Sequence, residues 1–205
     1  MTPEEVGAAL NVSRETLEKF SHYLALLEKW QKKINLVSHR TMQMAWQRHI
    51  LDCGQLASYI PNGAKTILDV GSGAGFPGLV LAIMTDCSVD LVESDQRKAV
   101  FMTTVIRELG LTAKVHNSRI ESLPKLMPDV VTARALAPLD KILKLIDKHF
   151  HPDCVCLFLK GVSVEQELTN LGSYPTMKSV TYPSLSDADG AVLKLFSLVN
   201  TGLAP

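Results

Sequence analysis

The stretch ILDVGSGAGFPG, Ile67 to Gly78, decides how the rest of the chain is read. Its first four residues are mostly apolar, and glycines then occupy every second position at Gly71, Gly73 and Gly75. Such a run is a strand ending in a turn where the backbone takes positive φ and approaches a ligand closely.

Working outward, KTILDV (65–70) is a short apolar strand, and the helix after the turn carries Leu79, Leu81, Ala82 and Ile83. Further strands are expected at 88–94, 113–118, 129–136 and 154–161. Between them lie helices over 96–109, stopped by Gly110, from Pro138 to about Phe150, and near 163–171. Strand–helix alternation at this spacing predicts a parallel sheet covered on both faces. The ending departs from it, because 177–185 and 191–199 are separated only by SDADG. Five residues cannot make a parallel crossover, so these two strands should form an antiparallel hairpin. Before the sheet, Leu17, Phe20, Tyr23, Leu24, Leu27 and Trp30 recur at helical spacing. A second helical stretch runs from about Thr41 to Tyr59 and is broken by Pro61–Gly63. This gives an N-terminal helical extension over 1–62 and a nucleotide-binding domain over 63–205.

Two readings of the glycine turn compete. Gly73-Ala-Gly75-Phe-Pro-Gly78 fits the G-x-G-x-x-G of dinucleotide folds. The alternative is an S-adenosylmethionine site, with an acid, Asp69, two residues before the first glycine. Two features favour the second: the glycine after the strand is Gly71, a register that puts Phe at 76, and the sheet closes with an antiparallel hairpin. Parallel strands with that ending look like the Rossmann-like class I methyltransferase sheet. Glu93, at the end of the second strand, suits the ribose hydroxyls of either cofactor.

Composition narrows the class. The 205 residues suit one α/β domain with a small addition, and 21 basic residues balance 21 acidic ones. Any nucleic acid must therefore be held by a local basic patch. The apolar run Gly78–Met84 is far short of a membrane span, and MTPEEVGAAL has no secretory pattern, so a cytoplasmic protein is expected. Cys53, Cys87, Cys154 and Cys156 form no C-x-x-C and read as buried thiols. His22, His116, His149 and His151 lack metal-ligand spacing, and no metal is expected.

Several short motifs then fall in order: LLEKWQKKINLVS (26–38), RHILDC (48–53), DVGSGAGFPG (69–78), SRIE (118–121), ARALAPL (133–139) and LKG (159–161). Together they make the chain resemble, over nearly its whole length, the bacterial RsmG (GidB) family of small-subunit ribosomal RNA guanine-N7 methyltransferases. Cys53 and Glu93 stand where the family often has serine and aspartate. The resemblance implies S-adenosyl-L-methionine as methyl donor and S-adenosyl-L-homocysteine as product. It implies 16S rRNA or the small ribosomal subunit as substrate. It also implies that Gly71, Gly73, Gly75 and Phe76 line the cofactor, that Glu93 holds its ribose, that Ile120 and Glu121 flank its adenine, and that Arg134 sits where substrate enters.

Guanine N7 carries an in-plane lone pair, so methylation there is a direct displacement needing no general base. Alignment and electrostatics do the work. No D-P-P-Y follows the fourth strand; Arg134-Ala-Leu-Ala-Pro138 stands there instead. Arg134 is expected to position the target guanine or a phosphate. From Lys29 to His49 there are basic residues and no acid. Lys32, Lys33 and Arg40, with Lys160 at the end of the fifth strand, are the RNA candidates, and Arg97, Lys98 and Arg119 could extend the patch. Trp30 reads as core, and Asn35 and His49 as links between the helical part and the sheet. A monomer is expected. A small-molecule methyltransferase, a non-catalytic RNA-binding module and an NAD-dependent oxidoreductase remain the alternatives.

Overall fold

The computed structural model describes residues 1–169 and 177–196. Its seven strands are β1 (Thr66–Val70), β2 (Ser88–Val92), β3 (Ala113–His116), β4 (Val130–Arg134), β5 (Val155–Lys160), β6 (Lys178–Pro183) and β7 (Ala191–Phe196). They form one sheet in the order β3-β2-β1-β4-β5-β7-β6. The first five are parallel, and β7 runs antiparallel to both β5 and β6. The chain order reverses between β1 and β4, so a crevice opens at the carboxyl ends of those strands. Residues 170–171 of the expected helix and 197–199 of the expected last strand lie outside the described residues.

The helices are α1 (Pro3–Leu10), α2 (Arg14–Gln31), α3 (His39–Met42), α4 (Asp52–Gly54), α5 (Gly78–Met84), α6 (Gln96–Leu109), α7 (Leu139–Ile146) and α8 (Val164–Thr169). Each face of the sheet carries its own core. Alternate residues Ile67, Val89, Leu91, Val130 and Leu157 face α2, α5 and α6, while Leu68, Val131, Ala133, Phe158 and Leu193 face α7 and α8. The strands in the middle are buried on both sides, which is why β5 reads as a continuous apolar run.

The N-terminal residues pack into the first of these cores. Ser13 caps α2, and the helix buries Phe20, Tyr23, Leu24 and Leu27 along one face. Each such side chain contributes about 1.5–3 kcal/mol of transfer free energy. Trp30 joins them, half-buried against Phe101 at 5.7 Å between ring centroids. The helical stretch expected over about 41–59 is made of short pieces: α3, a π-helical turn Trp46–Leu51, α4, and a 3₁₀ turn Gln55–Tyr59. Within the π turn, the Arg48 carbonyl accepts a hydrogen bond from Arg134 of β4 at 2.9 Å. The cysteines are buried free thiols, with Cys154 and Cys156 in the second core. No helix among the described residues is long and apolar enough to cross a membrane.

Candidate active site

After β1 the chain turns through Gly71, Gly73 and Gly75 at φ of +68°, +58° and +92°. Two of these glycines have distinct reasons. A Cβ on Gly75 would lie 2.3 Å from Leu79 Cδ1 and 2.9 Å from Tyr23 Oη, so this glycine lets α5 and α2 close under the turn. Around Gly73 the nearest such atom is a backbone oxygen at 3.9 Å, so its bare backbone opens onto a cavity. Tyr23 Oη donates to the Ala74 carbonyl at 2.5 Å and pins the turn to α2. Beneath the turn, Asp69 is fully buried; Thr132 Oγ1 donates to its Oδ1 at 2.8 Å, and Oδ2 has no hydrogen-bond partner among the described residues. Burial pushes its carboxyl up to about 6.

The cavity above the turn has a volume of about 460 Å³, within the range of small-ligand sites. Gly71, Gly73, Phe76, Glu93, Ile120, Glu121 and Arg134 line it, whereas Gly75 does not. Glu93 is half-buried and oriented by two backbone donors, Gly73 N–H at 2.9 Å and Asp95 N–H at 2.8 Å. Both oxygens keep a further lone pair. Lys98 and Arg119 also reach the wall, while Arg97 is exposed and paired with Asp95. Sequence reasoning missed Leu36, Val37 and Ser118. The Ser118 hydroxyl is buried in the wall with no hydrogen-bond partner among the described residues. Leu36 and Val37 are held in place by Gln31, whose Oε1 accepts from both backbone N–H groups at 2.9 and 3.0 Å and whose Nε2 donates to Val37 O at 2.7 Å.

A second cavity of about 640 Å³ adjoins the first. Leu36, Val37, Arg134, Ala135 and Leu136 line both. Ala135 has φ of +51°, a left-handed conformation costing about 1–3 kcal/mol in a non-glycine residue. It turns Leu136 over Gly71, where a Cβ would meet Leu136 Cδ1 at 2.5 Å.

Arg134 stands between the cavities, its side chain 19% exposed. Nη1 donates to Arg48 O at 2.9 Å and lies 3.5 Å from Asp52 Oδ2. Nη2 donates to His49 Nδ1 at 3.1 Å, and the guanidinium lies 5.0 Å from the Phe76 ring centroid. His49 stacks on Phe76 at 4.6 Å. Burial, reinforced by Arg134 and Arg48, lowers the His49 pKa to about 3, so its ring is neutral and Nδ1 is free to accept. His49 thus ties the helical part to the sheet, whereas Asn35 accepts only from Gln31, within the N-terminal segment, among the described residues.

The basic residues separate into two groups. Lys32, Lys33 and Arg40 are exposed and make no ion pair among the described residues. Lys160 lines the second cavity but is 8% exposed and paired with Glu167 at 2.7 Å. Its charge is therefore already partnered, unlike that of the three exposed cations. No cluster of three or more His, Cys, Asp or Glu suited to a metal occurs among the described residues.

The GidB family model, described as rRNA small subunit methyltransferase G, matches residues 16–191. Ribosomal RNA small subunit methyltransferase G of Cereibacter sphaeroides (strain ATCC 17029) is 46% identical over 98% of this chain and 100% of its own length. The protein of the same name from Paramagnetospirillum magneticum is 49% identical over 95% of each chain. Among solved structures, a SAM-dependent methyltransferase from Aquifex aeolicus superposes with a TM-score of 0.57 at 16% identity, covering 73% of this chain and 91% of that one, a likeness of fold.

Proposed function

The chain belongs to the GidB family, and from that premise we propose that it methylates guanine N7 in small-subunit (16S) ribosomal RNA with S-adenosyl-L-methionine as donor. The observation that carries this reading is the shared wall: a cavity over the glycine turn and a second cavity meet along Arg134, Ala135 and Leu136. A donor in one and an acceptor in the other would be in reach across that edge.

The first cavity fits the donor. Its glycine backbone is open at Gly73, Glu93 offers spare acceptor capacity, and Ser118 offers a buried hydroxyl without a partner among the described residues. In this reading Gly71, Gly73 and Phe76 line the methionine and ribose part, Glu93 accepts from the ribose hydroxyls, and Ile120 and Glu121 flank the adenine. Gly75 acts from behind, by letting the turn pack on Leu79. S-adenosylmethionine supplies an electrophilic methyl on a sulfonium centre. The chain's own residues align the reactants and exclude water. Arg134, clamped by Arg48 O, His49 and Asp52, holds its remaining N–H donors in a fixed direction. Guanine O6 is the acceptor it suits; a grip on both O6 and N7 would block the nitrogen being methylated.

Lys32, Lys33 and Arg40 are the proposed RNA contacts, and Lys160 supports the second cavity through Glu167. The protein is proposed to act as a monomer. A ribosomal RNA substrate would put the protein in the cytoplasm.

The test is Arg134→Lys, assayed by primer extension on small-subunit RNA, with cofactor affinity measured by calorimetry. A single ammonium cannot replace the fork, and removing a positioned donor costs about 10²–10³ in rate. Full rate in Arg134→Lys and in Arg134→Ala would refute the role.

A further inference from the structure

The second cavity is lined by three carboxylates, Asp52, Glu167 and Asp187. In two of them both oxygens accept hydrogen bonds. Glu167 accepts from Ser163 on Oε1 and from Lys160 and Leu139 N–H on Oε2. Asp187 accepts from Asp189 N–H on one oxygen and from Arg48 on the other. Asp52 differs. Its Oδ1 is fixed by Ser186 Oγ at 2.6 Å and Gln55 Nε2 at 3.3 Å. Its Oδ2 has no hydrogen bond among the described residues and only the Arg134 guanidinium beside it, at 3.5 Å. The side chain is 15% exposed, so this acceptor is held at a cavity wall and kept largely from water.

Arg134 lines both cavities and Asp52 lines only the second. Leading away from the first cavity, the wall therefore presents a donor and then an acceptor. A purine with N7 toward the first cavity presents position 6 next and position 1 after it. Guanine shows an acceptor, O6, and then a donor, N1–H. Adenine shows the reverse, a 6-amino donor and then the N1 acceptor. We propose that Asp52 is the residue that selects guanine: its Oδ2 accepts from the N1–H while Arg134 faces O6. Adenine would place its amino group against the guanidinium and its N1 lone pair against the carboxylate, leaving buried polar groups unpaired. This inference rests on reading the second cavity as the acceptor site.

The experiment uses small-subunit RNA assembled from fragments, with the target nucleotide, first located from the wild-type product, as guanine, inosine or 2,6-diaminopurine. Inosine keeps O6 and N1–H; 2,6-diaminopurine keeps the 2-amino group but reverses the polarity of positions 6 and 1. The wild type should methylate guanine and inosine within about fivefold of each other and discriminate against diaminopurine by about 100-fold, in line with one paired polar contact per base. Asp52→Asn should lose about 10–100-fold on guanine and most of the discrimination. Its affinity for S-adenosylmethionine should stay at the wild-type value, showing that the fold and first cavity are intact. The same discrimination should be read in binding, as the Kd of each RNA for protein saturated with S-adenosylhomocysteine. An Asp52→Asn protein that keeps the wild-type discrimination while transferring methyl to guanine overturns this assignment alone. A wild type that transfers no methyl to guanine overturns it together with the proposed function.

Discussion

Tyr23→Phe removes one oxygen and no carbon, and it isolates the link between the N-terminal helices and the glycine turn. The Tyr23 hydroxyl is buried and donates to Ala74 O at 2.5 Å, the one donor to that carbonyl among the described residues. The ring would stay in place, stacked between Phe76 at 5.1 Å and Phe101 at 6.3 Å, so packing is unchanged. What remains is an unsatisfied carbonyl in a dry site, which costs about 1–3 kcal/mol. For a chain of this size each kcal/mol shifts Tm by about 2–4 °C, so the melting point should fall by about 2–12 °C. Because Ala74 sits in the ligand turn, saturating S-adenosylmethionine should stabilise the variant less than the wild type at equal concentration. Scanning calorimetry with and without cofactor reads both quantities. A variant with wild-type Tm and wild-type ligand shift would refute the claim that α2 holds the turn.

Asp69 has a folded pKa raised from 3.8 to about 6, chiefly by burial. A raised acid contributes stability that is fully present below its unfolded pKa and lost as pH rises through the folded one, about 3 kcal/mol for a shift of this size. Denaturant curves should show the wild type losing that much relative to Asp69→Asn between about pH 3.5 and pH 7. Gly75→Ala must place a Cβ against Leu79 in a backbone at φ +92°, and should cost at least the 1–3 kcal/mol typical of overpacking, read as a lower Tm and weaker cofactor binding. Lys32→Ala, Lys33→Ala and Arg40→Ala should each reduce the salt dependence of RNA binding, by about one unit of slope for every phosphate left without its cation. Lys160→Met should act instead through stability, since it leaves Glu167 without its partner; an unchanged Tm with a lowered salt slope would reverse that division.

Much of the fold was legible because it depends on local signals. Glycines at alternate positions after an apolar strand announce the β1 turn, and a connection too short for a parallel crossover forces the β6–β7 hairpin. Other features depend on residues far apart in the chain. The Arg48 carbonyl in the π turn meets Arg134, 86 residues away, a contact that neither stretch reveals alone. The Lys160 charge is taken by a glutamate on the next helix, a pairing that neither residue reveals alone. Asp52 lay in a motif already singled out, four residues after Arg48 and so on the same side of a helical turn. Its free oxygen is visible only once Ser186 and Arg134 are in place around it.

The most direct test of the account is transfer of labelled methyl from S-adenosylmethionine by the purified protein to small ribosomal subunits from a strain lacking the corresponding gene, followed by digestion and separation of the nucleosides. The account predicts label in 7-methylguanosine, at one position of 16S rRNA, incorporated about 10²–10³ times more slowly when Arg134 is replaced. Label in a different nucleoside, or none while the protein binds NAD in place of S-adenosylmethionine, would contradict it.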